Sequence, residues 1–163
     1  SLTSVGTLAA LTVSGTITPS QTNGIVGTTT NNNANAGSVG EFLTATASAL
    51  PLTTATSTNI VTLSLTAGDW DVWGNIYFNP QPTTQINAVV SAISKVSATF
   101  PDPSTGYVSQ ANIALTGGNP ESSLPPQIRV SISTTANVYL VGLCSFNTST
   151  LSASGVLNAR RVR

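Results

Sequence analysis

From Glu41 to the C-terminus, apolar residues recur at every second position in short runs, and Gly, Pro or Asn ends almost every run. That period places successive side chains on opposite faces of an extended strand. The runs are Glu41–Thr46, Ile60–Leu65, Asp69–Phe78, Ile86–Ala98, Tyr107–Leu115, Gln127–Ser133, Asn137–Asn147 and Leu151–Arg163. The breaks fall at Ala67-Gly68, Asn79-Pro80, Pro101-Asp102-Pro103, Gly117-Gly118-Asn119-Pro120 and Pro125-Pro126, residues that set turn dihedrals or withhold a backbone donor. A short helix near Asn87–Val96 is the second choice for one run. Eight strands in about 120 residues predict an all-β, two-sheet jelly-roll sandwich.

Composition narrows what such a sandwich can do. Charged residues make up 6 % of the chain, while it holds 21 serines, 26 threonines and 14 asparagines, so hydroxyls and amides must cover much of the surface. Five basic residues balance five acidic ones, so no field exists to gather phosphates, and nucleic-acid binding is not expected. No apolar run approaches the roughly 20 residues needed to cross a bilayer as a helix, and no membrane insertion is expected. The single cysteine, Cys144, lies in the apolar run VYLVGLCSF, where a thiol acts as a small buried hydrophobe. Methionine is absent, which fits a piece of a longer polypeptide.

Upstream, LTVSGTIT at Leu11–Thr18 alternates strictly and is ended by Pro19. It reads as a half-buried strand with no neighbour in sequence to pair with, and an isolated strand is unstable in water. Other copies of the chain would be its partners. Gly27–Gly40, GTTTNNNANAGSVG, is low in complexity and reads as a loop or linker. The expected organisation is a stalk end at residues 1–23, a linker at 24–40 and a head at 41–163.

The stretches GIVGTTTNNNANAGSVGEFL, SLTAGDWDVWGNIYF and LNARRVR together resemble the C-terminal head or knob domains of tailed-bacteriophage tail fibres and tail needles, and LTVSGTIT resembles a shaft repeat. The resemblance covers most of the chain from about Gly24 to Arg163. It implies a homotrimer of jelly rolls, similar to tumour-necrosis-factor heads, at the distal end of a slender stalk in the virion. A head of this kind would attach the particle to a bacterial surface glycan or outer-membrane receptor. As an alternative it would register and cap three chains without any receptor. Exposed loops Pro80–Gln85, Pro101–Gly106 and Gly117–Pro125 are where recognition residues belong on a rigid sandwich.

The densest cluster of chemistry is AGDWDVWGNIYF at Ala67–Phe78. Alternation sends Trp70, Val72, Ile76 and Phe78 to the core and Asp69, Asp71, Trp73, Asn75 and Tyr77 to the other face. Asp69 and Asp71 then share a face with alpha carbons about 6.6 Å apart. A glycosidase pair needs a cleft and one carboxyl with a raised pKa, and a calcium site needs more oxygen ligands. With no histidine in the chain, neither catalysis nor a cofactor or metal is expected, and the aspartates read as turn and cross-strand partners. Trp73, Asn75 and Tyr77 offer a ring and an amide suited either to an intersubunit contact, the favoured reading, or to a sugar. At the C-terminus, Arg161 and Arg163 share a face. In a threefold assembly they would form a ring facing an axial anion, or else pair with Glu41, Asp71 or Glu121 or stay solvated at the surface.

Overall fold

The computed structural model describes residues 9–10, 12–16, 29–105 and 107–163. Among the described residues there are nine strands, in order: β1 (Phe42–Pro51), β2 (Thr58–Leu65), β3 (Gly68–Pro80), β4 (Gln85–Ser94), β5 (Val108–Leu115), β6 (Glu121–Ser123), β7 (Ile128–Ile132), β8 (Ala136–Asn147) and β9 (Leu151–Arg161). All pairings are antiparallel. One sheet runs β1-β9-β3, with β6 and β7 sharing the far edge of β3, and the other runs β2-β8-β4-β5. This is the strand order of a jelly roll whose sixth strand is split in two, and the expected all-β sandwich is what the chain forms.

Each expected run contains a strand. The expected Ile86–Ala98 stops at Ser94, and beyond it Val96 is 61 % exposed and Ala98 adopts φ 49°. β1 runs past Thr46 because a bulge between Ala47 and Leu50, with Ala49 at φ 51°, absorbs the break in alternation. β6 was not expected, since three residues of Glu-Ser-Ser carry no readable period.

The core fills the space between the sheets. β3 contributes Trp70, Val72, Ile76 and Phe78, all without solvent exposure, against Leu65, Ile86 and Leu140 of the facing sheet. Burying each such side chain contributes about 1.5–3 kcal/mol. A hydrogen bond of 2.7 Å joins the buried hydroxyls of Ser91 on β4 and Ser123 on β6, so the sheets are also tied by a polar link. Cys144 lies in this core, and burial pushes its thiol up to about 12.

Residues 1–32 and 33–163 form separate compact units. Of the expected strand Leu11–Thr18, residues 12–16 carry no strand and bend at Ser14-Gly15, while Leu11, Ile17 and Thr18 lie outside the described residues. Asn33–Gly40 folds against β1. The Asn33 side chain accepts from the Phe42 amide and donates to the Phe42 carbonyl at 2.8 and 2.7 Å.

β9 pairs with β3 along its full length, from Arg161 opposite Trp70 to Leu151 opposite Pro80. Gly74 permits that close approach, because a Cβ there would stand 2.6 Å from the Val156 carbonyl oxygen. Gly74→Ala should therefore lower stability by about 1–3 kcal/mol, read as a shifted urea midpoint. A midpoint equal to the parent's would show that β9 can yield.

Candidate functional site

The outer face of the β1-β9-β3 sheet holds the residues singled out by alternation. Register sets Phe42, Arg160, Asp71 and Arg129 side by side in one row across β1, β9, β3 and β7. Asn158 and Trp73 stand in the next row, and Thr46, Val156 and Asn75 in the one after. Trp73 packs its ring against Phe42, with centroids 5.9 Å apart and planes tilted by 45°.

The two aspartates do not act as a pair. Asp69 is 3 % exposed and accepts from Arg129 Nε at 2.8 and 3.0 Å, with a further ion pair to Arg129 Nη2 and another to Arg163 Nε at 3.1 Å. The Arg129 hydrogen bonds, aided by the charges of Arg129 and Arg163, hold the Asp69 carboxyl below its ordinary range against the opposing effect of burial. A general acid needs the reverse. Asp71 is half-buried, and its side chain makes no hydrogen bond or ion pair among the described residues. No group of three or more His, Cys, Asp or Glu stands together as metal ligands among the described residues.

The arginines divide differently from the expected axial ring. Arg161 is 4 % exposed and belongs to the core face, where its Nε donates to Glu41 Oε2 at 2.9 Å, Nη1 to the Ala67 carbonyl at 2.8 Å and Nη2 to Thr66 Oγ1 at 2.5 Å. Its guanidinium also lies 4.3 Å over the Trp70 ring. Arg163 is exposed and turned to Asp69. Of the partners considered in the sequence, Glu41 is the one Arg161 takes. Arg129 carried no sequence signal as a partner of Asp69, since 60 residues separate them.

A groove of about 430 Å³ opens beside Trp73. Asp71, Trp73 and Gly74 of β3, Arg160 of β9, and Leu124, Pro125 and Gln127 line it. Its origin is the split of the sixth strand into β6 and β7. β7 pairs with β3 from Gly68 to Val72, and β6 pairs with it from Ile76 to Phe78, so Trp73, Gly74 and Asn75 have no strand partner on that side. Pro125 and Pro126 lack amide donors and cannot continue a ladder, which lifts the chain away from the sheet there. A second depression of about 310 Å³ is lined by Asn75, Tyr77, Thr46, Ser154 and Val156. In it Asn75 Oδ1 is buried without a hydrogen-bond donor. Trp73 thus opens on one hollow, while Asn75 and Tyr77 line the other. Of the expected recognition loops, Gly117–Pro125 contributes Leu124 and Pro125 to the groove, Pro80–Gln85 contributes nothing to it, and Gly106 of Pro101–Gly106 lies outside the described residues.

No family model and no curated protein matches the chain. Among solved structures it is similar to that of the infectious bursal disease virus Gx strain, at 14 % identity and TM-score 0.48 over 85 % of this chain and 36 % of that one. It is also similar to the infectious bursal disease virus VP2 subviral particle, at 12 % identity and TM-score 0.46 over 75 % of this chain and 33 % of that one. The chain spans about a third of the length of these structures.

The Glu41–Arg161 pair yields a test. The Gly37 amide, at 2.8 Å from Glu41 Oε2, lowers the Glu41 pKa most, and the Arg161 hydrogen bond and charge lower it further against the cost of burial. A carboxylate with a depressed folded pKa contributes stability that is present above its unfolded value, about 4.3, and is lost as pH falls through the folded value. The urea midpoint should therefore hold from pH 7 to about pH 5 and drop below about pH 4, with a smaller drop in Glu41→Gln. Arg161→Met should cost about 3 kcal/mol or more, because it leaves a buried carboxylate unpaired. The double variant should lose less than the two singles summed.

Proposed function

We propose that the chain is the head of a virion surface protein and that it attaches the particle to a host-cell surface. The observation that carries this reading is the outer sheet face, where Trp73 opens on a groove lined by Leu124 and Pro125, the Gln127 amide, and one carboxylate and one guanidinium, Asp71 and Arg160. Rigid strands hold that face, and a site on strands is better fixed than one on loops. Jelly rolls serve in both capsid and lectin domains, which supports the reading by analogy of fold. In its finer form the proposal takes the chain as the distal head of a phage tail fibre or tail needle, acting as a non-enzymatic homotrimer whose Leu8–Thr18 segments pair between chains. Three weak sites on one trimer, each about 1 mM, would act together as one useful attachment point.

A second reading, a trimerisation and capping knob without a receptor, is favoured by one observation. Asn75 Oδ1 is buried without a donor, and Tyr77 beside it is 41 % exposed, as suits a face that a neighbouring chain completes.

Light scattering at micromolar protein should give a trimer, and a stable monomer would sink the assembly proposal. Labelled protein should stain susceptible host cells and leave resistant ones dark, without releasing oligosaccharide from host polysaccharide. Equal, negligible staining of both would leave the capping knob, and a depolymerisation product would point to hydrolysis.

A further inference from the structure

The groove beside Trp73 has a composition that narrows its ligand. Three side chains at its rim, Asp71, Arg160 and Gln127, make no hydrogen bond or ion pair among the described residues, although they line the same hollow. Arg160 and Gln127 are exposed. Asp71 offers acceptors only, Arg160 donors only, and Gln127 one of each kind. One negative and one positive side chain leave the hollow without net charge.

The backbone adds to this set. Trp73 and Gly74 lie in the stretch of β3 that neither β6 nor β7 reaches, and no backbone hydrogen bond links residues 124–127 to that stretch. Leu124, 66 % exposed, and Pro125 add apolar lining to the hollow that holds the indole. The volume, about 430 Å³, falls at the small end of ligand pockets.

We infer that this groove is a binding site for a neutral pyranose unit of a surface glycan. The inference rests on the attachment reading and names the ligand class and the residues. Stacking on an indole favours a ring with an apolar C–H face. A carboxylate beside a guanidinium and an amide matches neighbouring hydroxyls, each of which both donates and accepts. An anionic sugar would meet Asp71 as well as Arg160. A phosphate or nucleic acid would meet an uncharged hollow with a carboxylate in it. A peptide strand would find only the short gap at Trp73–Asn75 on that edge of β3, closed at either end by β7 and β6.

The full chain is titrated with maltose, lactose, mannobiose and the neutral polysaccharide of a susceptible host, with sialyllactose as the acidic comparator. Binding is read by saturation-transfer NMR and by tryptophan fluorescence. Trp70 is buried beneath Arg161, so a fluorescence change on binding reports Trp73. At least one neutral probe should bind, with a dissociation constant of about 1 mM. Asp71→Asn should weaken it about tenfold or more, Trp73→Ala should abolish it, and Tyr77→Ala, in the other depression, should leave it unchanged. Asp71→Asn should keep the parent melting temperature, which separates lost binding from lost folding.

Binding to sialyllactose alone would overturn the neutral class, and silence across all probes would overturn the site. Binding that survives Asp71→Asn and Trp73→Ala would place it elsewhere. Host staining that survives both variants would reject the groove and keep the attachment reading. Absent staining by the parent chain, with a neutral sugar still bound at the groove, would reject attachment and keep the site.

Discussion

One buried cation organises this molecule. Arg161 sits inside the sandwich, where an unpaired charge would be prohibitive, and its surroundings compensate it from several directions. Glu41 just before β1 supplies the countercharge, Thr66 and Ala67 before β3 supply oxygens, and the Trp70 ring supplies its negative face. Gly68, at φ +145°, leaves the room: a Cβ there would lie 1.9 Å from Arg161 Nη1. The backbone repeats the tie, as the Arg161 amide donates to the Glu41 carbonyl and the Gly40 amide to the Arg161 carbonyl. Segments 120 residues apart in the chain are thus fastened at one point.

The candidate site inherits its rigidity from the same strand that builds the core. On β3, Trp70 and Val72 are locked between the sheets, so Asp71 and Trp73, which alternate with them, have little freedom on the outside. The groove is what remains where the sixth strand fails to continue. A single unbroken strand in place of β6, the proline-containing link and β7 would cover the edge of β3 at Trp73 and close the hollow.

Much of this was legible in the amino-acid order because it depends on local period. The strands of Ala67–Phe78 and its neighbours, and the division of β3 into a core face and an outer face, follow from alternation alone. What escaped depends on contacts between distant segments. Asp69 looked like a turn residue because Arg129 lies 60 positions away. Arg161 looked like a surface charge because arginine usually is one, and only the register of Trp70 opposite Arg161 shows that it faces inward. Glu121–Ser123 is too short to show any period, and the bulge at Ala49 breaks one that was present.

The position of β9 bears on how the molecule is made. It is the last strand in order, yet it lies between β1 and β3, and every hydrogen bond that joins β1 to its sheet runs through it. While residues 151–163 remain in the ribosomal tunnel, β1 has no partner, Glu41 has no countercharge and β3 shows a bare edge. Native pairing of β1 therefore waits on emergence of β9, the slow, non-local order of events expected of such a sandwich. A polypeptide interrupted before Leu151 would be left with open edges, the exposed state that chaperones and proteases act on.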